Sequence, residues 1–268
     1  MTERPPAHDV AVCVVSWNGA HHLRNLLPAL PAATEGIDAQ VVVVDNGSAD
    51  DTEDVLAEHP SVEVVANPEN RGITRARNQA LMVQDARVVV MLDNDTIPRP
   101  GSITAMVRYL DEHPEVGLVG ARLLNPDGTV QESCRTVPPV YLPLITRPPF
   151  ERFGKGIVDR HYMRDFDHAT TRPVDWVMGA CQGYRASLLP LLGAYDERIF
   201  SHGGEDTDWC LRVWKAGYEV HYLAEAEMEH AYGHFARKNP LSRQARRALG
   251  DYLYMVWKHR DVREGVAR

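Results

Sequence analysis

The sequence predicts an α/β fold: a mostly parallel central sheet flanked by helices. Three observations carry this. Short Val-rich runs such as Val10–Val15 and Val41–Val44 have no polar side, as expected of strands covered on both faces. Between them lie segments with apolar residues at helical spacing, and this alternation builds βαβ units. Polar clusters follow directly on the apolar runs, and in open α/β sheets ligands bind at such strand ends.

Val10–Val15 is the first strand and stops at Ser16-Trp17-Asn18-Gly19, a turn with an exposed aromatic. Leu23, Leu26, Leu27 and Leu30 mark a helix over His21–Leu30, which Pro28 is expected to kink or shorten. Val41–Val44 is the second strand and ends at Asp45-Asn46-Gly47-Ser48. Asp50-Asp51-Thr52-Glu53 caps a short helix through Glu58. Val62–Val65 is the third strand, and Asn70-Arg71-Gly72 opens a helix carrying Ala76, Ala80 and Leu81. Val88–Leu92 is the fourth strand and runs straight into Asp93-Asn94-Asp95. Gly101–His113 reads as a helix, Val116–Val119 as a strand and Asn125-Pro126-Asp127-Gly128 as a hairpin-type turn. From Thr136 to Pro173, prolines cluster among aromatics such as Tyr141, Phe150, Phe153, Tyr162 and Phe166. This stretch reads as a long, partly ordered loop able to touch a ligand. Regularity returns at Val174–Met178. Helices over Ala186–Leu192 and Glu205–Ala216, a β segment at Tyr218–Tyr222 and a last helix over Leu241–Lys258 complete the chain.

Of the 268 residues, 44% are hydrophobic and 25% charged, an ordinary globular mixture. The formal net charge of −8 argues against nucleic-acid binding. No segment reaches the ~18 uninterrupted apolar residues of a membrane span. The first residues lack the apolar run of a secretory signal. Cys13, Cys134, Cys181 and Cys210 form no Cys-x-x-Cys pair, which fits reduced, mostly buried thiols. Together these features point to a cytoplasmic protein.

Three clusters carry chemistry. At the strand ends stand Ser16-Trp17-Asn18, Asp45, then Arg71, Arg75 and Asn78, then Asp93 and Asp95. An aromatic stacks on a base, a carboxylate accepts its N–H and arginines neutralise phosphate, so these residues suit a nucleotide without a glycine cradle. The chain has no P-loop and no Gly-x-Gly-x-x-Gly after a strand. Two carboxylates one residue apart repel each other unless a cation joins them; a hard divalent ion is the simplest partner, and a solvated turn is the alternative. The second cluster is Gly203-Gly204-Glu205-Asp206-Thr207-Asp208. Helix capping explains one acid there, and a general base explains another. The third is Glu229-His230-Ala231-Tyr232-Gly233-His234, whose spacing lacks the Glu that a zinc-protease helix needs directly after its first His.

Taken together these residues resemble the family 2 inverting glycosyltransferases: the pattern Gly179-Ala180-Cys181, Gly193-Ala194-Tyr195-Asp196-Glu197-Arg198-Ile199-Phe200, Gly204-Glu205-Asp206 resembles the rhamnosyltransferase-like branch, and five segments carry the likeness to the family itself. They are Val14-Val15-Ser16-Trp17-Asn18, Val43-Val44-Asp45-Asn46-Gly47-Ser48, Asn70-Arg71-Gly72 with Ala76-Arg77-Asn78, Leu92-Asp93-Asn94-Asp95, and Gly204 through Arg212. The resemblance implies a GT-A, Rossmann-like fold over one domain, 1–268. Residues 9–120 would form the nucleotide-sugar half, 121–235 the acceptor and catalytic half, and 236–268 a C-terminal helical extension. It implies a donor of the dTDP-rhamnose or UDP-sugar kind and a divalent cation, Mn²⁺ or Mg²⁺. The acceptor would be a glycan, a lipid-linked molecule or a small molecule. Ser16, Trp17, Asn18, Asp45, Arg71, Asp93 and Asn94 would contact the nucleotide. Asp95, Asp93 and His230 would hold the metal, Asp206 would be the base, and Glu205 would bind or orient the acceptor. Ser201-His202-Gly203 departs from the aromatic-rich approach of relatives, which leaves the acceptor open.

A nucleotidyltransferase on a similar fold would need a Gly/Arg/Lys phosphate signature after the first strand. A non-catalytic sugar-nucleotide or glycan-binding module would leave Glu205 and Asp206 idle. Arg237, Lys238, Arg243, Arg246, Arg247, Lys258 and Arg260 make the C-terminal region basic. A solvated helix face and peripheral contact with the inner face of a membrane both account for that.

Overall fold

Val10, Val12 and Val14 pack into one core while Ala11 and Cys13 pack into another, and all five are fully buried. A strand sandwiched in this way needs helices on both sides, and the rest of the chain supplies them. The computed structural model describes residues 4–146, 151–199, 204–231 and 243–262. Strand β1 (His8–Ser16) leads to helix α1 (Ala20–Ala33), β2 (Ala39–Asp45), α2 (Thr52–Ala57), β3 (Glu63–Ala66), α3 (Ile73–Val83) and β4 (Ala86–Asp93). Then come β5 (Thr96–Pro98), α4 (Ser102–Glu112), β6 (Val116–Leu124), β7 (Cys134–Arg135), α5 (Leu142–Ile145) and α6 (Glu151–His161). The chain continues through β8 (Arg172–Pro173), β9 (Trp176–Val177), β10 (Cys181–Arg185), α7 (Leu189–Leu192), α8 (Glu205–Lys215), β11 (Glu219–His230) and α9 (Arg243–Lys258).

The main sheet runs β3-β2-β1-β4-β10-β6-β11-β5, with β8 also paired to β11. β1, β2, β3 and β4 are parallel, and so are β6 and β11, while β10 runs antiparallel between β4 and β6. The mostly parallel α/β sheet expected from the sequence is therefore present. One core joins α1 and α4 to the face bearing Val10, Val12 and Val14. The other joins α3 and α8 to the face bearing Ala11 and Cys13. All four cysteines are buried and unpaired, as expected of reduced thiols.

Four expectations need correction. Pro28 does not shorten the first helix: α1 continues through Pro28 and Pro31 to Ala33. Both prolines lie on the exposed side of the helix, so neither ring intrudes on the core that Leu23, Leu26, Leu27 and Leu30 form. The stretch Thr136–Pro173 is not a long loop, because α5 and α6 lie within it and Phe166 packs into the core against Tyr222. β10 has no apolar run and was not foreseen. Its Gly183 lies under Met106, Val119 and Val90, where a larger residue would crowd, so a central strand is built from residues that do not look like one. β11 is much longer than Tyr218–Tyr222, because a register shift between Leu223 and Glu227 lets it resume beside β6 and reach His230.

Candidate active site

Strand register sets the site. Ser16 pairs with Asp45 across β1 and β2, and Val15 pairs with Asp93 across β1 and β4, so three loops leave the sheet at one level. The loops are then tied together. Asn18 adopts φ 50°; its N–H donates to Ser48 Oγ at 2.8 Å and its side-chain oxygen accepts Ala49 N–H at 2.8 Å. Asp45 accepts the Ser48 N–H at 3.1 Å. Buried Asn46 accepts the Arg71 N–H at 2.9 Å and an Asn67 N–H at 3.1 Å, which holds the segment before α3 against the end of β2. Gly47 has φ +78°, and a Cβ there would lie 2.5 Å from the Glu69 backbone, so only glycine permits this approach. Trp17 stands above this edge, 54% exposed. Asn94 donates to Ser16 Oγ at 3.0 Å, filling the space left by Gly19.

Asp93 ends β4 and Asp95 follows it. His230 ends β11, where antiparallel pairing with β5 sets it opposite Thr96. The ligand atoms of Asp93, Asp95 and His230 all lie within 4.8 Å of one another, and His230 Nε2 is 3.5 Å from Asp95 Oδ1. The imidazole is held in one tautomer. Gln131 donates its amide N–H groups to the His230 carbonyl at 2.8 Å and to Asn125 Oδ1 at 2.9 Å, so its oxygen must face His230 Nδ1 at 2.8 Å. Nδ1 therefore carries a proton, and Nε2 is the nitrogen turned toward the two carboxylates. Two carboxylates and one such nitrogen are a donor set that suits Mn²⁺ or Mg²⁺.

Arg77 lies on the other side of Asp93. Its guanidinium is 2% exposed and donates to Asp93 at 2.9 Å, to the Gly179 carbonyl at 3.2 Å and to Glu205 at 3.5 Å. Burial alone would lower its pKa; the charges of Asp93, Glu205 and Asp206 and the nearby Tyr195 outweigh that and raise it. Asp206, in the first turn of α8, accepts N–H groups from Gly179 at 3.1 Å and Thr207 at 2.7 Å. Burial, and then the neighbouring Glu205, push its pKa up from 3.8 to about 6. Gly179 links the two halves directly, since it meets both Arg77 and Asp206 while Asp93 N–H donates to Ala180.

The structure thus brings Asp93, Asp95 and His230 together, and sets Arg77 between Asp93 and Glu205. Glu205 is buried, with its carboxylate 3.5 Å from the Arg77 guanidinium. Arg75 pairs with Glu197 at 2.8 Å, and Asn78 bonds the Tyr195 backbone. Arg71 is exposed beside Asn70 and Gly72. Gly203, Tyr232, Gly233 and His234 lie outside the described residues. The contacts of Arg77 and Gln131 are not legible in the sequence. Arg77 sits in a helix whose buried face carries Ala76 and Ala80, and a charge on such a face is the signal that could have exposed it.

Residues 11–189 match the family described as Glycosyl transferase family 2, and the chain belongs to it. The chain is 29% identical to the N-acetylglucosaminyl-diphospho-decaprenol L-rhamnosyltransferase of Mycobacterium tuberculosis, over 92% of this chain and 84% of that protein. It is 25% identical to the dTDP-rhamnosyl transferase RfbF of Shigella flexneri, over 84% of this chain and 70% of that protein. Among solved structures it is similar to GalNAc-T7 with UDP, GalNAc and Mn²⁺. That match has a TM-score of 0.64 and 15% identity, and it covers 95% of this chain but 50% of the other, so it speaks for the GT-A fold alone.

Proposed function

We propose that this glycosyltransferase moves a deoxyhexose of the rhamnose kind from a dTDP- or UDP-linked donor to an acceptor hydroxyl, with inversion. One observation carries the reading: the buried Arg77 pairs with Asp93 of the Asp93, Asp95 and His230 cluster and lies within electrostatic reach of the Asp206 carboxylate. The names of the relatives from Mycobacterium and Shigella support the sugar, and the first supports a lipid-linked acceptor. Asp93, Asp95 and His230 would hold a divalent cation, which neutralises charge on a diphosphate leaving group.

Asp206 does the protein's share of the chemistry. Its raised pKa makes it a better proton acceptor than an ordinary Asp, yet leaves it mostly ionised at neutral pH. It takes the proton of the acceptor hydroxyl as that oxygen bonds the anomeric carbon. The bond from that carbon to the diphosphate oxygen breaks on the opposite face, and the diphosphate leaves with the electron pair. The Gly179 and Thr207 N–H groups fix the carboxylate in place. Glu205 acts through Arg77 by holding its guanidinium in position. Trp17 and Asp45 supply the stacking face and the hydrogen-bond acceptor for the base.

The test is Asp206→Asn, measured for donor affinity by calorimetry and for product on the same preparation. Donor affinity stays near that of the wild type, and transfer falls by ~10²–10⁴-fold. Retained transfer in a folded variant overturns the assignment. A panel of dTDP, UDP and GDP in thermal shift, with and without Mn²⁺, separates the donor bases.

A further inference from the structure

We infer that α9 docks this protein onto an anionic lipid surface. Arg246, Leu249, Leu253, Trp257 and Arg260 recur at intervals of three and four, which sets them on one side of the helix and its final turn. Leu249 is 38%, Leu253 45% and Trp257 61% exposed, whereas Asp251, Met255 and His259 on the other side are buried. The outward stripe is therefore apolar along its middle and basic at both ends. The one acidic residue of α9, Asp251, is on the buried side. In a chain of net charge −8, a helix face with leucines, a tryptophan and arginines but no acid is complementary to anionic headgroups over an acyl boundary. With 16 residues, α9 lies in the interface rather than crossing it, and among the described residues no helix is long and apolar enough to span.

Two further features fit that occupant. The segment beside α9 exposes Val140, Tyr141 and Leu144, and Tyr252 of α9 is bonded to the adjoining Pro139 carbonyl at 2.6 Å. The inner side of α9 is fastened to the catalytic helix. Asp208, two residues after Asp206, accepts from Lys258 at 2.6 Å and from His259 at 2.8 Å. Lys258, counted from sequence among the surface charges, thus points inward to Asp208 and Asp196. Docking through α9 would hold α8 close to a bilayer in which a lipid-linked hydroxyl is carried.

The experiment is co-sedimentation of the full chain with vesicles of phosphatidylcholine alone and of phosphatidylcholine with phosphatidylglycerol, at low and high salt. No donor or acceptor is present, so the outcome is independent of the transfer reading. We expect pelleting with the anionic vesicles that high salt reverses. Arg246→Gln and Arg260→Gln should each weaken binding about fivefold, as expected for one basic charge at an anionic surface. The triple variant Leu249→Ser, Leu253→Ser, Trp257→Ser should abolish pelleting while keeping the wild-type melting curve. Absence of pelleting by the wild type, or undiminished pelleting by the triple variant, overturns the inference. So does self-association in sedimentation velocity that the triple variant removes without any vesicle binding, since the stripe would then pair two copies of the chain.

Discussion

Asp206 and Arg77 hold the opposing charges of the site, and each has a measurable consequence. Because the folded chain raises the Asp206 pKa from 3.8 to about 6, the protonated form is favoured on folding. Its contribution to stability is thus fully present below about pH 4 and is lost as pH rises through about 6. Activity runs the other way, since the base must be ionised: transfer rises as pH climbs through about 6. Urea melts and rates over one pH series check both, and Asp206→Asn should remove both dependences. Arg77→Met removes the buried positive charge that pairs with Asp93 and with the buried Glu205, so it should cost about 3–5 kcal/mol in urea unfolding. Gln131→Leu frees His230 to take the other tautomer. Mn²⁺-dependent nucleotide affinity in calorimetry should fall by about 10–100-fold, the range for loss of a residue that orients a metal-binding His. Equal nucleotide affinity with Mn²⁺ and with chelator in the wild type would remove the metal role.

At the scale of elements, loop stitching decides where the donor edge sits. Gly19 begins α1, and a Cβ there would lie 2.1 Å from Asn94 Nδ2 and 2.6 Å from Ser16 Oγ. Gly19 has an ordinary negative φ, and the obstructing atoms are side-chain ends. Gly19→Ala should therefore leave the melting temperature nearly unchanged while displacing Asn94 and weakening donor binding several-fold, as calorimetry would report. Gly120 is the contrasting case. A Cβ on it would press to 2.4 Å from Val177, a buried branched side chain with nowhere to go. Gly120→Ala should cost about 1–3 kcal/mol of stability by overpacking, measured by denaturant unfolding.

Across the whole molecule, the catalytic helix is braced from the far side. Asp208 is buried between α8 and α9, and despite burial its partners His259, Arg212 and Lys258 hold its pKa below the usual carboxylate value. Asp196, bonded by Arg198, Lys258 and Tyr254, is likewise lowered. For groups lowered in this way, stability is present above the ordinary carboxylate pKa of 3.8 and lost as pH falls below it. Hydrogen exchange should show α9 loosening below about pH 4, in the range where Asp206 is protonated and no longer destabilising. Two carboxylates two residues apart on one helix thus oppose each other in their pH dependence.

By itself the sequence determined the parallel strands, because a Val-rich run without a polar side has only one stable home, between two helical layers. It determined the candidate acids as well, since Asp93, Asp95, Glu205 and Asp206 follow a strand end and a Gly-Gly pair that can be read locally. The tertiary structure alone decided which of them meet. His230 reaches Asp95 through the pairing of β5 with β11 and a register shift inside β11, and Gln131, 99 residues away in the chain, selects its tautomer. Arg77 gains its partners from β4 and α8, and β10 wins a central place through the space that Gly183 leaves. Burial and strand register are properties of long-range packing, and no local spacing encodes them: a slip of one residue in β11 would turn His230 to the opposite face of the sheet.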